Sequence, residues 1–213
     1  MAQMIKRARS EEAKDTRRNA LLAAALDEFV ERGFAAAKID DIARRAGLSK
    51  GALYLYFDSK EALFKGLIET VAMPRVEEIE AAIAGAPSIR QALEVMSAIA
   101  PTIIRESPLP RFMKVLIGDA KTFPDILQSY RREVLERVLG AISAALERAM
   151  DRGEIARHDP DLLARIVVSP IPLSGIWHIL FGADPDAAVN LEELFRLHAD
   201  LLGRALAVDG AEK

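Results

Sequence analysis

The sequence predicts an all-α protein of about nine helices, a small N-terminal three-helix head followed by a larger helical region. Three observations lead there. Apolar residues recur three and four positions apart in nearly every long segment, the spacing that gives a helix one apolar face. Residues suited to starting and stopping helices fall at the segment ends: Ser, Asp and Pro before the stripes, Gly after them. No stretch alternates apolar and polar residues as a half-buried strand does, and no repeat interrupts the pattern. With 213 residues and 51% hydrophobic content, the chain has ample material for a packed core.

The elements follow in order. Leu22, Ala25, Leu26 and Phe29 form the stripe of the first helix, and Gly33 ends it. Ile39, Ile42, Ala43 and Ala46 fit one face of a second helix, which Gly47 stops. Ser49 offers an N-cap hydroxyl to a short third helix whose Leu53 and Phe57 point inward. Asp58 and Glu61 have the spacing of an Asp-type capping box, so the next helix starts near Ser59 and runs to about Met73. Pro74 lacks a backbone donor, but the stripe resumes at Val76, Ile79 and Ile83, which predicts a kink. Gly85, Ala86 and Pro87 make a loop, and Ser88 with Gln91 opens a helix to about Arg105, disturbed by Pro101. A short helix from Pro110 to Ala120 follows. Thr122 and Pro124 introduce a long one to about Arg152, striped by Ile126, Tyr130, Val134, Val138, Ile142 and Leu146 and stopped by Gly153. Asp159 and Pro160 begin a helix to Phe181, and the last runs from about Asn190 to Ala207. The head with its N-terminal arm is placed at residues 1–64 and the larger region at 65–213.

The segment from Ile39 to Leu63 carries the function. Two short helices joined by a glycine turn, with a third directly after, set one helix into the DNA major groove. Leu53 and Phe57 turn inward, which throws Lys50, Ala52, Tyr54 and Tyr56 outward. Gly51 and Ala52 are small enough for backbone to approach a phosphate chain. Lys60 falls on the first turn of the next helix, where a cation opposes the helix dipole and a phosphate partner explains it better. Residues 1–65 hold 13 Lys/Arg against 10 Asp/Glu, while the rest hold 16 against 22. A positive head on an acidic body suits a polyanion at one end. Lys6, Arg7, Arg9, Lys14, Arg17 and Arg18 lead the chain, suiting either a DNA-touching arm or a frayed, solvated terminus.

From Asp15 to Phe64 the chain resembles the N-terminal DNA-binding domain of the TetR/AcrR family of bacterial transcriptional regulators. The resemblance rests on Phe29, Gly33, Phe34, Ile42, Ala43, Gly47, Ser49, Lys50, Gly51, Leu53, Tyr54, Phe57, Lys60, Glu61 and Leu63. It implies a dimer that binds a palindromic operator on double-stranded DNA and represses transcription until a small-molecule effector arrives. The DNA-facing set is then Lys38, Ser49, Lys50, Gly51, Ala52, Tyr54, Tyr56 and Lys60. Many relatives carry threonine and arginine near the start of the second helix, where this chain has Lys38 and Asp40. The resemblance also makes Met96, Phe112, Met113, Leu116, Phe123 and Trp177 candidates for an effector pocket, with plain core filling as the alternative, and the effector is expected to enter between the helices from about Met73 to Arg152. Arg105, Arg111 and Lys114 lie near that set and suit an acidic ligand. The helices from Pro160 to Phe181 and from Asn190 to Ala207 are expected to pair with their copies, through a stripe of Leu194, Leu197, Leu201 and Leu202, with packing of that stripe on the same chain's body as the alternative.

Other chemistries find no footing. With no cysteine, disulfides and thiolate metal sites are excluded. His158, His178 and His198 lie twenty or more residues apart without metal-ligand spacing, so no metal is expected. No serine stands in a nucleophile elbow and no Gly-rich loop follows a strand; neither an enzyme nor a cofactor is expected. No signal peptide leads the chain, and no apolar run approaches the ~20 residues that span a bilayer, with Ile166–Phe181 read as a buried, kinked helix. The expected location is cytoplasmic, with no membrane partner. An all-helical protein-interaction module, with Tyr54 and Tyr56 packed on another protein, is the alternative function.

Overall fold

The computed structural model describes residues 2–119 and 124–208. Among them run nine helical stretches and no strand beyond a single antiparallel bridge between Ile155 and Ala207. They are α1 (Ala2–Arg32), α2 (Ile39–Arg45), α3 (Lys50–Tyr54), α4 (60–85), α5 (Ile89–Glu106), α6 (Leu109–Asp119), α7 (124–151), α8 (Pro160–Phe181) and α9 (Leu191–Leu206). The caps are those the sequence offers: Ser49, Ser59, Ser88, Asp159 and Asn190 each accept a backbone N–H of the first helical turn. Ser59 rather than Asp58 caps α4, through the amide of Ala62 at 3.1 Å. Gly33, Gly47 and Gly153 take φ of 78°, 71° and 72° after α1, α2 and α7.

Two helices depart from regular winding. In α4 the turn Ile68–Ala72 is π-helical, and Met73–Gly85 resumes the α form with Pro74 as its second residue. The irregularity thus lies just before the proline. A second π-turn, Arg131–Leu135, interrupts α7. In α5, Pro101 sits buried inside a helix that continues past it to Glu106.

Packing divides the chain into two units: a head of Met1–Thr70 with Arg111–Gln128, and a body of Val71–Pro110 with Ser129–Lys213. Residues 111–119 and 124–128 pack with the head, although the sequence boundary after residue 64 puts them in the larger region. The reason is aromatic. Phe29, Phe34 and Phe64 meet at centroid distances of 4.9 Å and 5.7 Å, and Phe112 of α6 adds to the stack 4.9 Å from Phe64. Gly66 lets α4 pass close to its neighbours: a Cβ there would stand 2.8 Å from Leu22 Cδ2 and 3.0 Å from Phe57 Cε1. The carboxylate of Glu28, buried on α1, lies 2.8 Å from Arg32 and 3.2 Å from Arg45 of α2, and Arg45 also reaches Glu31 at 2.5 Å. Arg32 holds the buried carboxylate from within α1, and Arg45, shared between Glu28 and Glu31, ties α2 to α1.

The body has its own core, which includes Ile79 and Leu93 together with Ile142, Leu146, Leu163 and Val167. A smaller cluster joins Ala100 and Ile104 of α5 to Leu191 and Phe195 of α9. Helix α8 breaks at Ser169–Pro170, as its prolines require, but it is not the buried helix expected: Leu162, Ile166, Leu173, Trp177, Leu180 and Phe181 are exposed. Its 22 residues are also long and apolar enough to cross a bilayer by length and composition, which corrects the count made from the sequence.

Candidate nucleic-acid interface

The reading unit is built by a turn that leaves little freedom. After α2 the amide of Leu48 donates to Ala43 O at 2.9 Å and that of Gly47 to Arg44 O at 3.1 Å, the paired bonds of a Schellman stop. Ser49 then accepts the amide of Ala52 at 3.1 Å and starts α3. Leu53 and Phe57 are buried, which fixes the rotation of α3 and turns the other side outward.

That outer side carries most of the expected residues. Ser49, Lys50, Gly51 and Tyr54 are exposed, Tyr54 by 44%, and Ala52 is half-buried. Lys38 is exposed at the N-cap of α2 and makes no side-chain capping bond. A Cβ on Gly51 would meet nothing within 4 Å, so no protein neighbour demands glycine there. Tyr56 departs from expectation. Helix α3 ends at Tyr54, and Tyr56 follows in a turn closed on Leu53 O at 2.9 Å, half-buried instead of outward. Leu55 takes the outer position between the two tyrosines, 82% exposed. Its place midway between inward Leu53 and Phe57 is a signal that the helical period contains.

Two lysines behave differently from the sequence expectation. The Lys60 ammonium, which the dipole argument assigns to a phosphate, donates to the carbonyls of Phe34, Ala35 and Ala37 at 2.8, 3.0 and 3.0 Å, and sits 5.1 Å from the Phe34 ring centroid. Three protons meet three acceptors, so its helix position is explained by the turn leading into α2. Lys50 keeps its place at the tip of α3 but pairs with Asp40 of α2, Nζ to Oδ1 at 2.7 Å. That hydrogen bond pushes the lysine pKa up. Both groups are exposed, so the pair exchanges readily with solvent and competes with DNA for the cation. Asp40→Asn is therefore expected to tighten binding several-fold, and more for the preferred sequence than for a scrambled one, read by anisotropy titration on both duplexes at matched salt.

The pocket candidates do not converge. Phe112 and Leu116 are buried in the head and Met113 is half-buried on the same helix, and Phe112 belongs to the aromatic stack. Phe123 lies outside the described residues. Met96 lines a void of about 20 Å³ in the body beside Phe195 and His198. Trp177 lines a cavity of about 430 Å³, also in the body, with Leu173, His178 and Phe181; its Nε1 donates to Ala187 O at 2.8 Å and its ring lies 4.7 Å from Phe181. Arg105 stands on that wall already donating to both carboxylate oxygens of Glu192, and this hydrogen bonding holds the Glu192 pKa down to about 2. Arg111 pairs with Asp27 at 2.6 Å. Neither arginine offers the open charge an acidic ligand would seek.

Comparison with known proteins agrees with this geometry. The model for bacterial regulatory proteins of the tetR family matches residues 21–67, and that for a tetracyclin repressor-like C-terminal domain matches residues 83–197. The HTH-type transcriptional activator FasR of Mycolicibacterium smegmatis is 48% identical over 56 residues, 26% of this chain and 26% of that protein, so such head-only matches span about a quarter of the relative's length. The HTH-type transcriptional repressor BepR of Brucella suis biovar 1 is 30% identical over 153 residues, 68% of this chain and 71% of that protein. Among solved structures, a SmeT–triclosan complex superposes with a TM-score of 0.75 at 24% identity, covering 91% of this chain and 93% of that one. SmeT is the repressor of a Stenotrophomonas maltophilia multidrug efflux pump. Head and body both carry the family's pattern, and the chain belongs to the TetR family of bacterial regulatory proteins: it is a helix-turn-helix transcriptional regulator, not an enzyme.

Proposed function

We propose that the protein is a cytoplasmic dimeric repressor that binds a palindromic operator and is released from it by a small molecule. Residues 1–64 form the DNA-binding part, and 65–213 supply dimerisation and effector binding. The observation that carries the reading is the outer side of α3, where Lys50, Gly51, Tyr54 and Leu55 face solvent on a short helix whose rotation is fixed by buried Leu53 and Phe57. Ser49, Gly51, Ala52 and Tyr54 set the helix on the phosphates, and Lys38 approaches from the start of α2. Lys50 reads base edges once it exchanges Asp40 for DNA. Tyr56 and Lys60 act from behind, by holding the turns.

The second copy covers the exposed apolar face of α8 and α9, where Leu162, Ile166, Leu173 and Leu180 stand beside Leu197 and Leu201. A patch of that kind is uncommon on a monomer. Leu194 and Leu202, from the same expected stripe, pack on their own body instead. For the effector, the cavity beside Trp177 is apolar with few polar groups, which fits an aromatic or amphipathic compound. That SmeT has been obtained with triclosan supports a ligand of this type, and BepR and SmeT, both repressors, support repression. Selection from a random duplex pool should return a palindrome whose half-sites lie about one helical turn, or a multiple of it, apart. A pool that yields no consensus after repeated rounds would remove the reading.

A further inference from the structure

We propose that the cavity beside Trp177 is a seam site, completed by the second copy of the chain, and that it takes a neutral aromatic compound with one hydrogen-bonding group; this rests on the dimer and effector readings above. Its walls come from the second half of α8, the 182–189 segment and the start of α9, with Arg105 of α5 beside them. Leu173, Trp177 and Leu180 stand four and three positions apart on one face of α8, and all three are exposed. Leu173 and Trp177 also line the cavity. The apolar face and the cavity thus share a rim, and a second copy seated on that face becomes the wall the cavity lacks. A void closed under apolar side chains and left empty forfeits their dispersion contacts, so a molecule that fills it strengthens the association of the two chains.

The lining selects the ligand. A volume of about 430 Å³ lies in the range of small-molecule sites, roughly 300–1,000 Å³. The Trp177 indole is held in place by its bond to Ala187 O, and the Phe181 ring 4.7 Å away extends a preset aromatic wall. The charged residues of the lining are already engaged: Arg105 donates to Glu192, and the Asp184 carboxylate accepts the amide of Asp186 at 3.0 Å. A charged ligand would lose its water and find no open counter-charge. Ser174 and His178 also line the cavity, and neither side chain makes a hydrogen bond with another of the described residues. A hydroxyl and an imidazole can each donate or accept, which gives the ligand its polar partner.

Affinity for such a ligand is linked to association of the chains, in both directions. The probe for the test is N-phenylnaphthylamine, a neutral fluorophore with one N–H, and the reporter is Trp177, the single tryptophan of the chain. Leu162→Glu with Ile166→Glu separates the copies without touching the cavity, because both side chains are exposed on α8 and neither lines it.

In the wild-type dimer the probe should bind once per chain and quench Trp177 by energy transfer. In the double variant, monomeric by sedimentation and helical by circular dichroism, probe affinity should fall at least tenfold. Saturating probe should in turn tighten association of the wild-type chains about a hundredfold, about ten from each of two symmetric sites. Equal affinity and quenching in the monomeric variant overturns the seam site, as does a double variant that stays dimeric. A wild-type dimer whose Trp177 ignores the probe, or whose association the probe leaves unchanged, overturns it as well, whatever the variant does. Each of these results leaves operator binding, and the regulator reading, intact. A wild-type chain that sediments as a monomer overturns the dimer reading and the seam site together.

Discussion

Leu173→Glu combined with Leu180→Glu on α8 is expected to leave each chain folded, halve the mass in solution and weaken operator binding by at least a hundredfold. Both side chains project into solvent, 66% and 65% exposed, so neither change disturbs the chain's own core. Burying a leucine in an interface is worth roughly 1.5–3 kcal/mol, and two-fold symmetry counts each residue twice, while a carboxylate in the same place must be desolvated. Once the copies separate, the second head no longer binds its half-site from a high effective concentration. Sedimentation equilibrium at micromolar protein and anisotropy titration on the selected duplex read both effects. A double variant that still sediments as a dimer would move the interface elsewhere.

Two glycines should respond in opposite directions. Gly66→Val is expected to destabilise the head by about 1–3 kcal/mol, because the new side chain meets Leu22 and Phe57 inside a packed core where neither can yield. Gly51→Ala is expected to raise stability by up to about 1 kcal/mol, since the site is open, exposed and helical. The same methyl should weaken DNA binding severalfold, where backbone and phosphate approach each other. Denaturant melts and operator titrations of the two variants separate the glycine that packing needs from the glycine that DNA needs. Parallel losses of stability in both would contradict the assignment.

Helix ends were legible because they are local: Ser49, Ser88, Asp159 and Gly47 act within a turn of their own position, and each does what its chemistry offers. The inward turn of Leu53 and Phe57 was equally local. What the sequence hid depended on distant partners. Lys60 finds its acceptors more than twenty residues upstream, and Phe112 joins a stack with Phe64 that no local spacing announces. Lys50 and Asp40 read as separate surface charges until the turn at Gly47 brings them together. The effector candidates scattered for the same reason. Bulky residues in one stretch of chain were divided between two cores, and only packing decides which core each serves.

The most direct measurement is repetition of the random-pool selection with Lys50→Ala beside the wild type at matched salt. If α3 reads the operator through Lys50, the wild-type palindrome should reappear with relaxed preference at one symmetric pair of positions, and affinity for the original site should fall by roughly 1–3 kcal/mol. The same consensus recovered with the same affinity would show that Lys50 does not read bases and would contradict the placement of this face of α3 against DNA.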